Sequence, residues 1–385
     1  MAGSLLSRRQ FTALGAGLGV GLLKPNNATA VSESDPKMAL LTPAADPLIH
    51  LNYNESPYGP SPRVMAAMAR TPLSAARYAD DHEPELVAEL ARLHRVSAAG
   101  IVLGCGSTEI LKIAAEAFLG SGKHVIAALP TFESIFDFAG ITRAHALTVP
   151  LTADHRHDLE LMARICAGRS GIVYICNPNN PTGTIVTRTE LERFVARVPR
   201  SMMVVIDEAY HDFVENPRYA SSDALVASAP NVVVVRTFSK IHGLAGMRLG
   251  YSLSSPAIAA ALQRHRLPTN INAAVLDAGL ASLRDPAYLE AQRKRFNDTK
   301  RWLCEQLERD GRRYIPSETN FVMTDTGSDV GPLVAAFKAR GMLVGRRFPS
   351  MPTWQRVSIG TPEQIAAFVD LLRELAPVRQ KAAAA

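Results

Sequence analysis

The stretch NVVVVRTFSKIHGLAGMRLGY, residues 231–251, decides how the rest of the chain is read. The apolar run Asn231–Val235 is followed at once by Arg236, Thr237, Ser239, Lys240 and Arg248 among glycines. Four consecutive valines without polar alternation predict a strand buried on both faces, as in a parallel sheet covered by helices. A lysine just past such a strand is, taken alone, an ordinary solvated charge. In open α/β sheets, however, ligands sit beyond the carboxyl ends of the strands. The residues at the exits of the other strands therefore decide between the two readings.

Three more apolar runs precede this one: HVIAAL (124–129), GIVYIC (171–176) and MMVVID (202–207). They alternate with amphipathic helices up to about residue 270. Helices are predicted near residues 63–69 and over Pro84–His94, where Leu86, Leu90 and Leu93 recur at helical spacing. LNYNESPYGPSP (51–62), dense in Asn, Pro and Gly, reads as loop. After Pro286 the pattern changes. A long polar helix (Tyr288–Arg309) is followed by SETNFVMT (317–324), a helix around Pro332–Arg340, strand-like MLVGR (342–346) and QRVSIG (355–360), and a last helix, Pro362–Leu375. The expected fold class is α/β, a mostly parallel sheet in a large αβα domain over 75–280, with a smaller α+β domain over 281–376. Residues 31–74 read as an N-terminal arm and 377–385 as a disordered tail.

Composition narrows the function. With 385 residues, 47% hydrophobic and 20% charged, the chain is ordinary for a globular protein, which excludes wholesale disorder. The net charge is +6, and three of those charges (Arg8, Arg9, Lys24) fall in the first thirty residues, which carry no acid. No clustered basic stripe remains, so nucleic acid is not an expected partner. The four cysteines (Cys105, Cys166, Cys176, Cys304) show no C-x-x-C spacing, which argues against a zinc site and a disulfide scaffold.

Residues 1–30, MAGSLLSRRQFTALGAGLGVGLLKPNNATA, join the pair Arg8-Arg9 to an apolar segment, Phe11–Leu23, and a small-x-small site, Ala28-Thr29-Ala30. Thirteen residues at ~1.5 Å each cannot cross a core of ~30 Å, so a membrane anchor is the weaker reading. The paired arginines resemble a twin-arginine export signal, used by proteins that fold before crossing. The expected location is periplasmic or exported, with membrane contact only in transit; without a working signal it is cytoplasmic.

The strand exits carry the chemistry. GCGSTE (104–109) is a Gly-rich turn entering a helix, where free backbone N–H groups favour an anion. NPNNPTG (177–183) is a rigid turn past the second run. Asp207 ends the third run, and a carboxylate at the end of a buried strand is costly unless paired. An N-cap or an arginine partner satisfies it, and so does a cationic ligand atom such as a protonated pyridine nitrogen. Together with Lys240 and Arg248, these exits suit a phosphorylated aldehyde with a basic ring nitrogen.

The chain resembles the class I/II, fold-type I pyridoxal 5′-phosphate (PLP) aminotransferases, and within them the histidinol-phosphate aminotransferase branch. The resemblance rests on LNYNESPYGPSP, GCGSTE, PTFES, NPNNPTG, VIDEAY, RTFSKIHGLAGMRLGY, PTNINAA, ETNFV and RVSIGT, in this order over roughly residues 50–362. It implies PLP as cofactor, with Lys240 as the Schiff-base lysine and acid/base, and Asp207 paired with the ring nitrogen. Asn180 and Tyr210 would bond the ring 3-oxygen, and Phe132 would stack on the ring. The phosphate would fall to Ser107, Thr108, Thr237, Ser239 and Arg248. Tyr78 would reach the phosphate of a neighbouring subunit, which makes a homodimer the working unit and the arm part of its contacts. Arg356, Asn54 and Arg346 would bind substrate, Arg356 as a planar fork on a carboxylate or phosphate. Arg346 and Arg347, near the MLVGR strand, are either a second anion contact or solvated surface charges.

Two positions depart from the family pattern. Thr108 stands where an aspartate is frequent, with the acid one place later at Glu109, and His242 stands where an apolar or aromatic residue is expected. A packed histidine is the preferred reading of His242; Arg236 has no assigned role. The expected activity is amino transfer between an amino donor, histidinol phosphate or an amino acid, and a 2-oxo acid. A general or aromatic amino-acid aminotransferase outside the cytoplasm, a lyase or oxidase on the same scaffold, and a non-catalytic PLP-binding module are the alternatives.

Overall fold

A short strand, β1 (Ile49–Leu51), opens the described part of the chain, which in this computed structural model comprises residues 48–73 and 75–378. The expected signal, residues 31–47 of the arm, and 379–385 of the tail lie outside it. Seven strands then build the main sheet: β2 (Ile101–Gly104), β3 (His124–Leu129), β4 (His145–Pro150), β5 (Gly171–Cys176), β6 (Met202–Asp207), β7 (Val232–Thr237) and β8 (Gly250–Ser254). Their order is β2-β8-β7-β6-β5-β3-β4. β8 runs antiparallel to both β2 and β7, and the other neighbours pair in parallel.

The apolar runs are strands because each face has its own partner. Val173 and Ile175 of β5, Val204 and Ile206 of β6, and Val232 and Val234 of β7 enter one core layer. Their alternates Ile172 and Tyr174, Val205, and Val233 and Val235 enter the layer on the opposite face. Two buried faces leave no position for a polar residue, so the period-2 signal disappears into a continuous run.

β9 (Tyr314–Ile315), β10 (Phe321–Asp325) and β12 (Trp354–Ser358) form a second, antiparallel sheet in the order β12-β10-β9. β11 (Met342–Val344) pairs instead with β1, in parallel, which ties residues 49–51 to the C-terminal part of the chain. A third core cluster packs this region, with Phe296, Leu303 and Leu307 from the helix Pro286–Arg309 against Phe321, Phe337 and Phe368. The last helix, Pro362–Leu375, starts with a reciprocal Thr361/Gln364 capping box.

β3, β5 and β6 fall on the predicted boundaries, while the strand predicted at 231–235 runs on through Arg236 and Thr237. The strand expected within 317–324 begins only at Phe321, because Ser317 and Thr319 side chains bond the Phe321 backbone in a turn. β2, β4 and β8 are additions to the sequence reading.

Candidate active site

Beyond the carboxyl ends of β2, β3, β5, β6 and β7 lies a cavity of about 620 Å³, closed on its other side by residues around β11 and β12. Of the residues expected at the site, Tyr78 and Arg347 alone do not line it. Tyr78 is 83% exposed, and Arg347 is turned to Asp329, whose carboxylate accepts from its Nε at 2.8 Å.

One end of the cavity is built for an anion. The helix Ser107–Phe118 starts there, and a helix N-terminus presents backbone N–H groups and a partial positive charge to an anion. Its cap, Gly106, has φ +82°, and a Cβ on it would stand 2.3 Å from Arg248 Nη2. Only glycine lets the guanidinium lie against this loop. Arg248 itself has φ +66°. Its Nη1 donates to Ala245 O at 2.8 Å and to Ser239 Oγ at 3.4 Å. Thr237 Oγ1 donates to Ser239 Oγ at 2.9 Å. Ser107, Thr237, Ser239 and the guanidinium thus converge with Thr108 on one spot. Glu109 faces the other way. It accepts from Asn270 Nδ2 at 2.6 Å and from the Cys105 backbone N, and so supports the loop from behind.

At the end of β6, Asp207 is buried, 2% exposed. Tyr174 OH donates to its Oδ2 at 2.8 Å and the Ala209 N–H to its Oδ1 at 3.1 Å. Burial pushes its pKa up to about 6 against those two bonds and the charge of Lys240. Tyr174 was missed in the sequence; the signal was the one hydroxyl in the otherwise apolar run GIVYIC.

Lys240 lies three residues past β7, and its Nζ donates to the Tyr53 carbonyl at 3.1 Å. Nζ also lies 5.6 Å above the centre of the Tyr210 ring. Burial first, then the charge of Arg356, lowers its pKa to about 8. The close turn after Lys240 depends on Gly243, at φ +69°, where a Cβ would meet the Gly59 carbonyl at 2.4 Å.

Tyr210 OH accepts from Asn54 Nδ2 at 3.0 Å and from Asn180 Nδ2 at 3.3 Å. Burial raises the phenol pKa and keeps it protonated. With both lone pairs engaged by amides, its proton is available to an acceptor in the cavity. Asn180 Oδ1 in turn accepts from Arg356 Nη1 at 2.6 Å, and the Asn52 carbonyl accepts from Nη2 at 2.8 Å. Arg356 Nε is buried without a partner, and burial lowers the guanidinium pKa to about 10.

Two residues that the motifs left open are now placed. Arg236 is buried and donates from Nε and Nη2 to Glu208 Oε2 at 3.0 and 2.7 Å, and to Asp223 Oδ1 at 3.1 Å. His242 is packed, as preferred from the sequence. Its Nδ1 sits 2.8 Å from Ser282 Oγ, its ring centre is 4.5 Å from that of Phe238, and burial lowers its pKa. Sequence reasoning also missed Phe348 and Glu133, both at the cavity.

Residues 46–372 match the family model described as aminotransferase class I and II. A histidinol-phosphate aminotransferase of Symbiobacterium thermophilum is 39% identical over 328 residues, covering 85% of this chain and 90% of the relative. An aromatic amino acid aminotransferase of Rhodococcus jostii is 36% identical over 321 residues, 83% of this chain and 88% of the relative. The crystal structure of the histidinol-phosphate aminotransferase of Sinorhizobium meliloti, in complex with pyridoxal-5′-phosphate, superposes with a TM-score of 0.80 at 26% identity, over 90% of this chain and all of that one. The family match, the relatives' identity and the superposition agree, and the chain belongs to the class I and II aminotransferases.

Proposed function

We propose that the protein moves an amino group between an amino donor and a 2-oxo acid with PLP as cofactor, histidinol phosphate or an amino acid being the donor. The observation that carries this is the convergence, in one cavity, of the Lys240 amine, the buried Asp207 carboxylate and the Gly106–Arg248 anion cradle. The residues present fit the cofactor. The Gly106–Arg248 cradle, which a Cβ would fill, matches a phosphate together with Ser107, Thr108, Thr237 and Ser239. Asp207, buried at the end of β6, matches a protonated ring nitrogen, with which its carboxylate would pair. Asn180 and the Tyr210 proton match a phenolate oxygen, and Phe132 supplies an apolar wall. PLP supplies an aldehyde that takes up the amino group and a ring that draws electrons from the bond to the substrate's Cα–H.

The chain's own groups do the rest. Lys240 Nζ is neutral in part near neutral pH, so it can take the proton from the substrate's Cα and return it elsewhere. Tyr210 and Asn180 hold an oxygen anion in place by hydrogen bonds. Arg356 presents its planar fork to the substrate's carboxylate or phosphate. The aromatic amino-acid reading is favoured by Phe132 and Phe348, which give the cavity apolar walls.

The same reading includes a homodimer with Tyr78 at the partner's phosphate, a large domain over 75–280 with a smaller one over 281–376, and export through Arg8-Arg9. Export removes the protein from the cytoplasmic pool of histidine intermediates and so favours general amino acids as donors. Mixing the cofactor-loaded enzyme with single amino acids or histidinol phosphate, and following loss of visible cofactor absorbance, tests the donor. A response to histidinol phosphate alone assigns the biosynthetic role; a response to several amino acids but not to it removes that role. Changing Arg8-Arg9 to two lysines should abolish export of the full chain, measured by cell fractionation, and unchanged export would remove the twin-arginine reading.

A further inference from the structure

Across the mouth of the cavity, the Arg346 guanidinium is ion-paired with Glu133. The two come from opposite walls. Glu133 lies past β3 in the main sheet, and Arg346 past β11. Both line the cavity, and both are about half exposed, 42% and 54% by side chain. The Arg346 guanidinium lies 4.5 Å from the centre of the Phe348 ring. Arg356 lies 5.3 Å from the same ring. Phe348 therefore spaces two guanidiniums, and their mutual repulsion contributes to the lowered pKa of Arg356. The difference between them is the counter-ion. Arg356 has amide and carbonyl acceptors only among the described residues, whereas Arg346 has a carboxylate of its own chain.

We propose that Glu133 determines specificity by competing, within the chain, with a second anionic group of the substrate for Arg346. A substrate with one carboxylate on Arg356 leaves the Glu133–Arg346 pair closed. A substrate with a second carboxylate or a phosphate must open the pair, and Glu133 then turns to solvent. An exposed ion pair is worth only ~0.2–1 kcal/mol, so Glu133 handicaps such substrates without excluding them. One carboxylate thereby biases the site toward monoanionic amino acids, aromatic ones included, for which Phe348 gives a wall. The inference rests on the proposed reading of Arg356 and Arg346 as the substrate-facing cations.

Equilibrium binding separates it from the question of catalysis. Dicarboxylates from succinate to adipate, and the monocarboxylate of each chain length, are titrated into the cofactor-loaded enzyme by calorimetry. With Glu133→Gln, the ratio of dicarboxylate to monocarboxylate affinity should rise by about two- to fivefold for at least one length. The rise should shrink at high salt and vanish in the Glu133→Gln/Arg346→Met double variant. A ratio equal to the parent's at every length, or an equal rise in the double variant, overturns the proposal. Dead-end acids bind without amino transfer, so failure of the donor assignment would leave this outcome readable.

Discussion

Arg236 and Arg356 are equally buried, 7% and 8% exposed, but their surroundings have opposite electrostatic character. On the far side of β6 and β7, Arg236 touches two carboxylates, Glu208 and Asp223, and a third link runs from Asp223 Oδ2 to His94 Nδ1 at 2.6 Å. Although burial opposes it, Glu208 holds the Arg236 pKa well above its usual value. In the cavity, Arg356 bonds an amide oxygen and a carbonyl, has one orphaned N–H, and has its pKa lowered to about 10. A buried cation that carries its anions belongs to the scaffold. One held by neutral acceptors is poised for an external anion. The lysines repeat the contrast: Lys240 and Lys300 both have pKa values lowered to about 8 by burial, and each donates to one carbonyl. Only Lys240 opens into the cavity.

The largest expected effect comes from Lys240→Ala. Loss of its proton transfer alone should lower turnover by ~10²–10⁴-fold, with the fold intact by circular dichroism. Turnover within tenfold of the parent would show that the cavity lysine is not the base. Arg236→Met should come next, and it should act on stability. It leaves the fully buried Glu208 without its cationic partner, which costs ~3–5 kcal/mol in urea unfolding, while Asp223 keeps His94. Replacing Glu208 by Gln in the same chain should recover part of that loss, and no recovery would argue that Arg236 acts by packing alone.

Arg356→Met should show the opposite profile. The loss of charge-assisted bonds to substrate, ~1.5–3 kcal/mol, should raise KM for carboxylate donors by about 10–100-fold. Stability should fall by no more than about 1 kcal/mol, because no carboxylate is stranded and Asn180 faces the cavity. If Arg356→Met destabilised the fold as much as Arg236→Met, the distinction between scaffold and site cations would fail.

The sequence separates these pairs only in part. Asp207 is readable because it ends a continuous apolar run at a strand exit, where a charge needs a reason, and Lys240 and Arg248 are readable only as part of the motif that follows β7. Arg236 is not, since its partners Glu208 and Asp223 come from the exit of β6 and from the start of the helix between β6 and β7, and it is the parallel register of β6 and β7 that sets Glu208 beside it. Glu133 and Phe348 are hidden for the same reason, being 215 residues apart and joined across the cavity through Arg346. β4, HALTVP, escaped because it is an edge strand with mostly exposed side chains, and β8 because its polar serines, Ser252 and Ser254, interrupt the apolar pattern.

The smallest effect tests the lysine contrast. Lys300→Met removes a buried ammonium that, among the described residues, donates to the Thr319 carbonyl at 3.0 Å and forms no ion pair. The parent pays for that burial below pH 8, where the folded chain must keep the charge. Between about pH 8 and 10.5 the folded Lys300 has lost its proton while the unfolded one retains it. Stability should therefore rise with pH across that window, by up to about 3 kcal/mol. Methionine has no proton to lose, so the variant should lack this component of the rise. At pH 7 two effects oppose each other: the charge penalty disappears, and the Thr319 carbonyl loses its donor at ~1–3 kcal/mol. The variant should then match the parent within about 1 kcal/mol at pH 7 and be the less stable of the two at pH 10.5. Turnover should not change, since Lys300 lies outside the cavity. A loss at pH 7 as large as that of Arg236→Met, or a pH slope identical to the parent's, would mean that Lys300 is a paired scaffold cation rather than a second amine of lowered pKa. In that case the lowered pKa alone would already have singled out Lys240, without the help of the cavity.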